Sequence, residues 1–147
     1  MELIWKSQTW EQVAYSTGVA CCPTTMRTMT RLISNTVDHG LKDRKGRTIG
    51  NYAKIEVFRK LSRDAAGNYI ALEDGRRLLE KDPTYLVMTQ TTRDGEMFGA
   101  TSTQGTECSS LEDAKAVAVK KIVAAGKRFA LAAAKKNVNH VLTTSTK

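Results

Sequence analysis

The chain has 147 residues, is 41% hydrophobic and carries a net charge of +8, which fits one folded domain and argues against a disordered basic peptide. No apolar run is long enough to cross a bilayer, and the first ten residues lack the basic-then-apolar pattern of a signal peptide. Three cysteines, two of them adjacent, and two histidines argue against a disulfide framework or a structural zinc site. We therefore expect a cytoplasmic protein with free thiols, no membrane partner, no metal and no cofactor.

The charge is divided into blocks along the chain. Residues 23–63 hold ten basic and three acidic residues, a net charge of +7. Residues 64–113 hold four basic and ten acidic residues, a net charge of −6. Residues 114–147 hold eight basic residues and no acidic one. Two basic blocks around an acidic one indicate a polyanion-binding surface, unless the acidic block neutralises one of them inside the fold.

The N-terminal part predicts two helices. Residues 2–6 have the composition of a short strand, and Thr9 or Ser7 could cap a helix over residues 10–17 that ends at Gly18. Pro23 suits the first turn of a second helix, which would extend to about Val37 because apolar residues recur at helical spacing from Met26 onward. Residues 38–51 follow as a glycine-rich basic loop.

The middle of the chain predicts antiparallel strands. Residues 52–61 alternate apolar and polar side chains, and residues 84–93 are rich in β-formers. Asp94-Gly95 is a strong signal for a two-residue hairpin turn after the second of these strands. The aromatic residues of the strands are more typical of a core than of a base-stacking platform; they are Tyr52, Phe58, Tyr69, Tyr85 and Phe98.

A long helix should follow. Ser109-x-x-Glu112 has the form of a capping box, and an apolar stripe runs from Leu111 through Ala118 and Ile122 towards Phe129. We accordingly predict an α+β fold with N-terminal helices, about four antiparallel strands and a long C-terminal amphipathic helix packed on one sheet face. Residues 1–147 would form a single domain, with a helical part (1–40), a sheet with its helix (52–136) and a tail (137–147).

The two predicted N-terminal helices resemble a helix-turn-helix motif. Ala14, Gly18 and Val19 stand where that motif has a small residue, a turn glycine and an apolar residue. The resemblance implies a DNA-reading face on the second helix, formed by Thr24, Arg27, Thr28, Arg31 and Asn35. The basic residues of the following loop would lie where winged-helix proteins have a wing; they are Lys42, Arg44, Lys45 and Arg47. Cys21 and Cys22 lengthen the turn beyond the usual motif, and the alternative is an ordinary pair of packed helices.

The C-terminal helix offers a second basic surface. Its cations recur about two turns apart, in the absence of any acidic residue after Asp113; they are Lys115, Lys120, Lys121, Lys127, Arg128, Lys135 and Lys136. Such a stripe could bind successive phosphates, and the alternative is a solvated helix face. Glu112 and Asp113 stand where double-stranded-RNA-binding domains have lysines, which argues against that mode of binding.

The sequence therefore predicts a small non-catalytic nucleic-acid-binding protein, with DNA preferred over RNA and a homodimer allowed. No phosphate-binding loop or hydrolase motif occurs in the chain, although its many carboxylates leave a metal-dependent nuclease open. Two other classes fit the same composition. One is an inhibitor or assembly factor that binds a larger protein through the acidic block, and the other is a basic structural protein of a virion or similar particle.

Overall fold

The computed structural model describes residues 1–10, 29–73, 77–98 and 105–145. These residues form seven strands in one curled antiparallel sheet and one C-terminal helix. The elements are β1 (Trp5–Trp10), β2 (Met29–Ser34), β3 (Val37–Lys42), β4 (Thr48–Phe58), β5 (Thr84–Arg93), β6 (Glu96–Met97), β7 (Thr106–Cys108) and α1 (Leu111–Ser145). The fold is thus mostly β, and the prediction of an α+β fold with N-terminal helices is wrong.

The long strands β4 and β5 form the centre of the sheet and pair along their whole length, from Phe58 opposite Thr84 to Ile49 opposite Arg93. On the edge of β4 that faces away from β5, β2 pairs with residues 54–57 and β3 pairs with residues 48–51. β1 pairs with the outer edge of β2. On the edge of β5 that faces away from β4, β6 pairs with residues 92–93 and β7 pairs with residues 85–87. The sheet is therefore a meander in which each of the two long strands pairs, on its outer side, with two short strands.

The helix predicted from Pro23 to Val37 is not present in its described part. Residues 29–34 form β2 instead, with Leu32 opposite Ser7 on one side and opposite Ile55 on the other. Pairing with two strands distant in sequence outweighs the helical spacing of the apolar residues, and Thr30 and Ile33 are β-branched residues that favour a strand. Of the helix predicted over residues 10–17, Trp10 ends β1 and the rest lies outside the described residues.

The loop predicted over residues 38–51 is mostly strand. It is divided between β3 and β4, which leaves only residues 43–47 as a turn. Between β2 and β3 the backbone ladder is interrupted, and Ser34 bridges the gap with its side chain. The Ser34 Oγ accepts from the Ala53 N–H and donates to the Ala53 carbonyl, both at 3.2 Å, so that buried backbone groups stay satisfied.

The predicted hairpin at Asp94-Gly95 is confirmed. Arg93 pairs with Glu96, and both turn residues have left-handed φ angles, 52° for Asp94 and 81° for Gly95, as a type I′ turn requires. Asp94 also joins this turn to β4, because its carboxylate accepts from the Thr48 N–H at 2.8 Å and its own N–H donates to the Thr48 carbonyl.

The core lies between α1 and the sheet. Side chains that alternate along β4 and β5, among them Ala53, Ile55 and Val87, face the helix and are fully buried. From the helix the predicted stripe is buried at Ala114, Ala118, Ile122 and Ala125. Because three of these four helix residues are alanines, the helix backbone can approach the sheet closely.

The helix begins one residue later than its predicted capping box. The Ser110 Oγ accepts from the Asp113 N–H at 3.1 Å, so Ser110 is the N-cap and Asp113 takes the third position. The helix passes through Gly126 without a break and continues to Ser145, through most of the predicted tail. Beyond Phe129 the buried stripe ends, because Ala132, the next residue on the same face of the helix, is exposed. Leu131, on the outer face, is 58% exposed.

Candidate nucleic-acid interface

The turn between β3 and β4 is held in shape by Asp43. Its carboxylate accepts from the backbone N–H groups of Lys45 and Arg47 and, at 2.8 Å, from the Arg47 Nε. Gly46 closes the turn with a φ of 78°, which costs glycine little. As a result, Lys42, Arg44 and Lys45 are exposed at the tip, while Arg47 is directed back towards the sheet.

The same contacts determine the charge state of Asp43. Burial alone would raise the pKa of its carboxyl, but hydrogen bonds from the backbone and the side chain of Arg47 outweigh that effect and hold the pKa below its ordinary value. Asp43 is consequently ionised at neutral pH and keeps the turn ordered. The exposed cations are thus displayed on a fixed scaffold.

Next to this turn, two guanidinium groups and three aromatic rings form a row of successive contacts. The Arg47 and Arg93 Cζ atoms each lie 5.0 Å from the ring centre of Phe98, and the Arg93 Cζ also lies 5.6 Å from that of Phe129. The Phe129 ring in turn lies 6.0 Å from the His39 ring. We call these five side chains the arginine–aromatic row. Such cation–π contacts stabilise partly desolvated sites by about 0.5–2 kcal/mol each.

Each member of the row comes from a different segment. His39 lies on β3, Arg47 on the β3–β4 turn, Arg93 at the end of β5, Phe98 just after β6, and Phe129 on α1. Arg93 is the central member, because its Nε also lies 3.7 Å from the Asp43 carboxylate and its side chain is only 16% exposed. The row therefore ties the basic turn to the middle of the helix.

The helix approaches β3 closely at His39. The His39 Nε2 lies 2.5 Å from the Asn51 Oδ1, and the Asn51 Nδ2 donates to the Gln90 carbonyl at 3.4 Å. A Cβ atom at Gly126 would lie 2.8 Å from the His39 Nδ1, so the glycine leaves the space that the ring needs. This explains a glycine in the middle of an otherwise regular helix.

The two basic blocks of the sequence meet at this end of the molecule. Lys127 and Arg128 are exposed and lie between Gly126 and Phe129, the two helix residues that contact His39. Lys120 and Lys135 are also exposed, at distances of about 10 Å in either direction along the helix. We call the exposed cations of the turn and of the helix middle the basic end; they are Lys42, Arg44, Lys45, Lys127 and Arg128.

Carboxylates are also present here, but three of them accept hydrogen bonds from backbone N–H groups. Asp43 and Asp94 accept the N–H bonds described above, and Asp38 accepts from the Gly40 N–H at 2.6 Å. Glu96 pairs in register with Arg93. The local charge is thus positive, though less so than the cations alone suggest.

Arg31 lies elsewhere. It occupies β2 on the sheet face opposite the helix, where its Nη2 lies 3.5 Å from the Glu56 Oε1, and the Lys54 Nζ lies 3.0 Å from the same oxygen. Burial raises the pKa of the neighbouring Tyr52; the positive charge of Arg31 opposes this shift and Glu56 adds to it. Arg31 is thus part of a charge-paired cluster and not of the basic end.

The remaining predicted site residues do not lie together. Thr24, Arg27 and Thr28 lie outside the described residues, as do Cys21 and Cys22. Lys121 is half-buried on α1, and for Lys136 the structure describes the helical backbone only. The interpretation of Arg31 and Asn35 as part of a helical reading face is wrong, because Arg31 lies on a strand and Asn35 in the break between β2 and β3.

Neither a known protein family, nor a curated protein, nor a solved structure matches this chain. The residues of the basic end and of the row are therefore the basis for inferring a function. Within the described ranges, no helical stretch is apolar enough to traverse a bilayer. The same residues contain no cluster of His, Cys, Asp and Glu suited to a metal ion.

The sequence did not indicate Arg93, Phe129 or His39 as site residues, and it favoured a core role over a base-stacking role for Phe98. The hairpin signal placed Arg93 at the end of a strand, but nothing local indicated that β3 and the helix would meet there. Phe98 was assigned to a core on its residue type, whereas 45% of its surface is exposed. Only the helix stripe, which included Phe129, indicated that this ring faces the sheet.

Proposed function

We propose that the protein binds nucleic acid through the basic end. The observation that supports this most directly is the row, whose contacts bring two basic segments about 80 residues apart in the chain to the same end of the molecule. Exposed Lys and Arg side chains on a rigid turn and a rigid helix suit phosphate groups, because little side-chain support has to form on binding. The predicted DNA-reading helix is a strand in its described part. We therefore propose binding through phosphate contacts and not through base reading in a major groove.

Binding of this kind has a defined salt dependence. If Arg44, Lys45, Lys127 and Arg128 each neutralise one phosphate, raising the salt from about 50 mM to about 200 mM weakens binding about 50-fold for a single strand and about 150-fold for a duplex. Fluorescence anisotropy with labelled oligonucleotides, measured at both concentrations, gives the slope directly. Absence of binding at the lower salt concentration would refute the proposal.

Charge-matched variants localise the surface. We expect Arg44→Ala with Lys45→Ala, and separately Lys127→Ala with Arg128→Ala, to reduce the salt slope by roughly one for each cation removed. The control removes Lys6 and Lys81, both exposed and both away from the basic end. Lys6 lies on β1, and Lys81 precedes the opposite end of the β4–β5 pair. If this control weakens binding as much as the other two variants, attraction is general and there is no defined interface.

A second candidate is binding to a larger protein. It is favoured by the connection between β4 and β5, where Leu72 and Leu78 are exposed beside the exposed acids Glu73 and Glu80. Apolar side chains bordered by carboxylates are typical of a protein-contact surface. Copurification after nuclease treatment separates the two candidates, because a protein partner is retained whereas one bridged by nucleic acid is lost.

A further inference from the structure

Phe98 is the exposed member of the arginine–aromatic row. Phe98 as a residue is 45% exposed, although two guanidinium groups lie over its ring, each with its Cζ 5.0 Å from the ring centre. Its backbone N–H donates to the Thr91 carbonyl at 3.0 Å, which fixes the residue just beyond the β5–β6 hairpin. The ring is therefore held in place and still has surface available for a ligand.

Tyr69 provides a comparison within the same molecule. The Arg63 and Arg77 Cζ atoms lie 4.5 Å and 4.6 Å from its ring centre, so it too has two guanidinium neighbours. Its hydroxyl accepts from the Arg63 Nη2 at 2.8 Å, and the residue is half-buried in the connection between β4 and β5. Tyr69 is thus half-buried between its neighbours, whereas Phe98 keeps 45% of its surface exposed beside its two guanidinium groups.

The two arginines beside Phe98 contact its ring and are less accessible to a phosphate than the exposed cations are. Arg47 is bound by Asp43 at 2.8 Å, and Arg93 is mostly buried. The exposed cations lie on the turn tip and on the helix segment that contacts His39. The surface thus combines an apolar ring held in place with phosphate-binding cations, which is the combination that single-stranded nucleic acids require.

We propose that Phe98 stacks on an unpaired base and that the ligand of the basic end is single-stranded nucleic acid, DNA or RNA. This rests on the proposed function and adds the class of nucleic acid to it. In a duplex the faces of the bases are covered by their neighbours, so an exposed ring gains nothing from them without unstacking. In a single strand every base offers a face, whatever its sequence.

The test compares how two kinds of variant respond to salt. Labelled oligothymidylate and oligouridylate of about 30 nucleotides, and a duplex of equal length, are titrated at about 50 mM and about 200 mM salt. We expect Phe98→Ala to weaken single-strand binding about tenfold at both concentrations with an unchanged slope, because stacking releases no counterions. The cation variants, by contrast, should reduce the slope. Comparison of the two single strands separates DNA from RNA.

Two further variants control for disturbance of the fold. Met97→Ala removes the adjacent side chain, which is equally exposed at 48%, and should leave binding unchanged. Phe98→Trp keeps a stacking surface and should retain single-strand affinity; binding should quench its fluorescence beyond any change seen in the parent protein, which has two tryptophans. The Trp variant remains informative even if Phe98→Ala fails to fold.

The outcomes separate the two proposals. If the duplex binds as tightly as the single strands, or if Phe98→Ala and Met97→Ala behave alike, stacking is refuted while phosphate binding stands. If Phe98→Trp shows no added quenching on binding, stacking is refuted as well. If no probe binds at the lower salt concentration, the proposed function fails and the stacking proposal fails with it.

Discussion

Replacement of Ile122 tests how the helix is seated on the sheet. Ile122 is fully buried, and its neighbours along the stripe, Ala118 and Ala125, are alanines whose side chains are too short to fill a gap. Ile122→Ala removes three carbon atoms, a loss of about 2.4 kcal/mol at about 0.8 kcal/mol for each buried carbon. A residual cavity adds about 1 kcal/mol, so we expect the free energy of unfolding to fall by about 3–4 kcal/mol.

The assay is urea denaturation followed by circular dichroism, with a thermal melt as a second measurement. For a chain of about 150 residues the expected loss lowers the melting temperature by roughly 10 °C. The matched control is Leu131→Ala on the same helix, where the side chain is 58% exposed and the change should stay within about 0.5 kcal/mol. If both variants lose the same small amount, the helix is not docked through the face that contains Ile122.

Three further predictions concern the cap, the helix glycine and the turn. Ser110→Ala should destabilise the protein by about 1 kcal/mol in the same urea titration, whereas Ser109→Ala should have almost no effect, because only the Ser110 Oγ accepts from the helix backbone. Gly126→Ala should be destabilising in spite of the better helix propensity of alanine, since its Cβ would contact the His39 ring; in a His39→Ala background the same change should instead stabilise by about 0.5–1 kcal/mol, and a loss there would contradict the assigned contact. Asp43 has a lowered pKa, so its contribution to stability is present above the unfolded pKa of about 4 and is lost as the pH falls through the folded value; Asp43→Asn should flatten that part of the stability–pH curve, and an unchanged curve would contradict the turn contacts.

Elements with one exposed and one buried face could be recognised from local pattern. Residues 52–58 alternate because Ala53, Ile55 and Val57 face the helix, and β4 contains all of them. The Asp94-Gly95 turn was recognisable because few dipeptides adopt two left-handed conformations in succession. The predicted helix stripe is buried as far as Ala125. It could be recognised because the sheet covers only one side of α1.

The strand β2 could not be recognised in this way. β2 pairs on both edges and has partly buried residues on both faces, so Leu32 and Ile33 are adjacent in sequence and neither is exposed. A run of this kind does not alternate, and its apolar residues happen to fit a helical spacing as well. Pairing with β1 and β4 decides that this segment forms a strand and not a helix, and that pairing depends on the whole sheet.

The candidate site, too, was only partly predictable from the sequence. The charge distribution of the sequence indicated the basic turn and the basic helix, because cations outnumber acids in both segments. It also placed Arg31 in the same surface, whereas the register of β2 puts Arg31 beside Glu56 on the other face. Shifting a strand by one residue exchanges its faces, and no local pattern specifies that register when both faces are partly covered.

The sequence by itself thus determined a single basic chain with two cationic segments, a central hairpin and a C-terminal helix with a defined buried stripe. These features depend on neighbours within a few residues, and local propensity, turn chemistry and periodicity record them. Tertiary structure decided that residues 5–10 and 29–34 are strands, that the cationic segments share one end, and that Phe98 stays partly exposed beside Arg47 and Arg93. Those features depend on contacts between segments far apart in the chain, whose free energy appears only when the sheet and the helix are assembled.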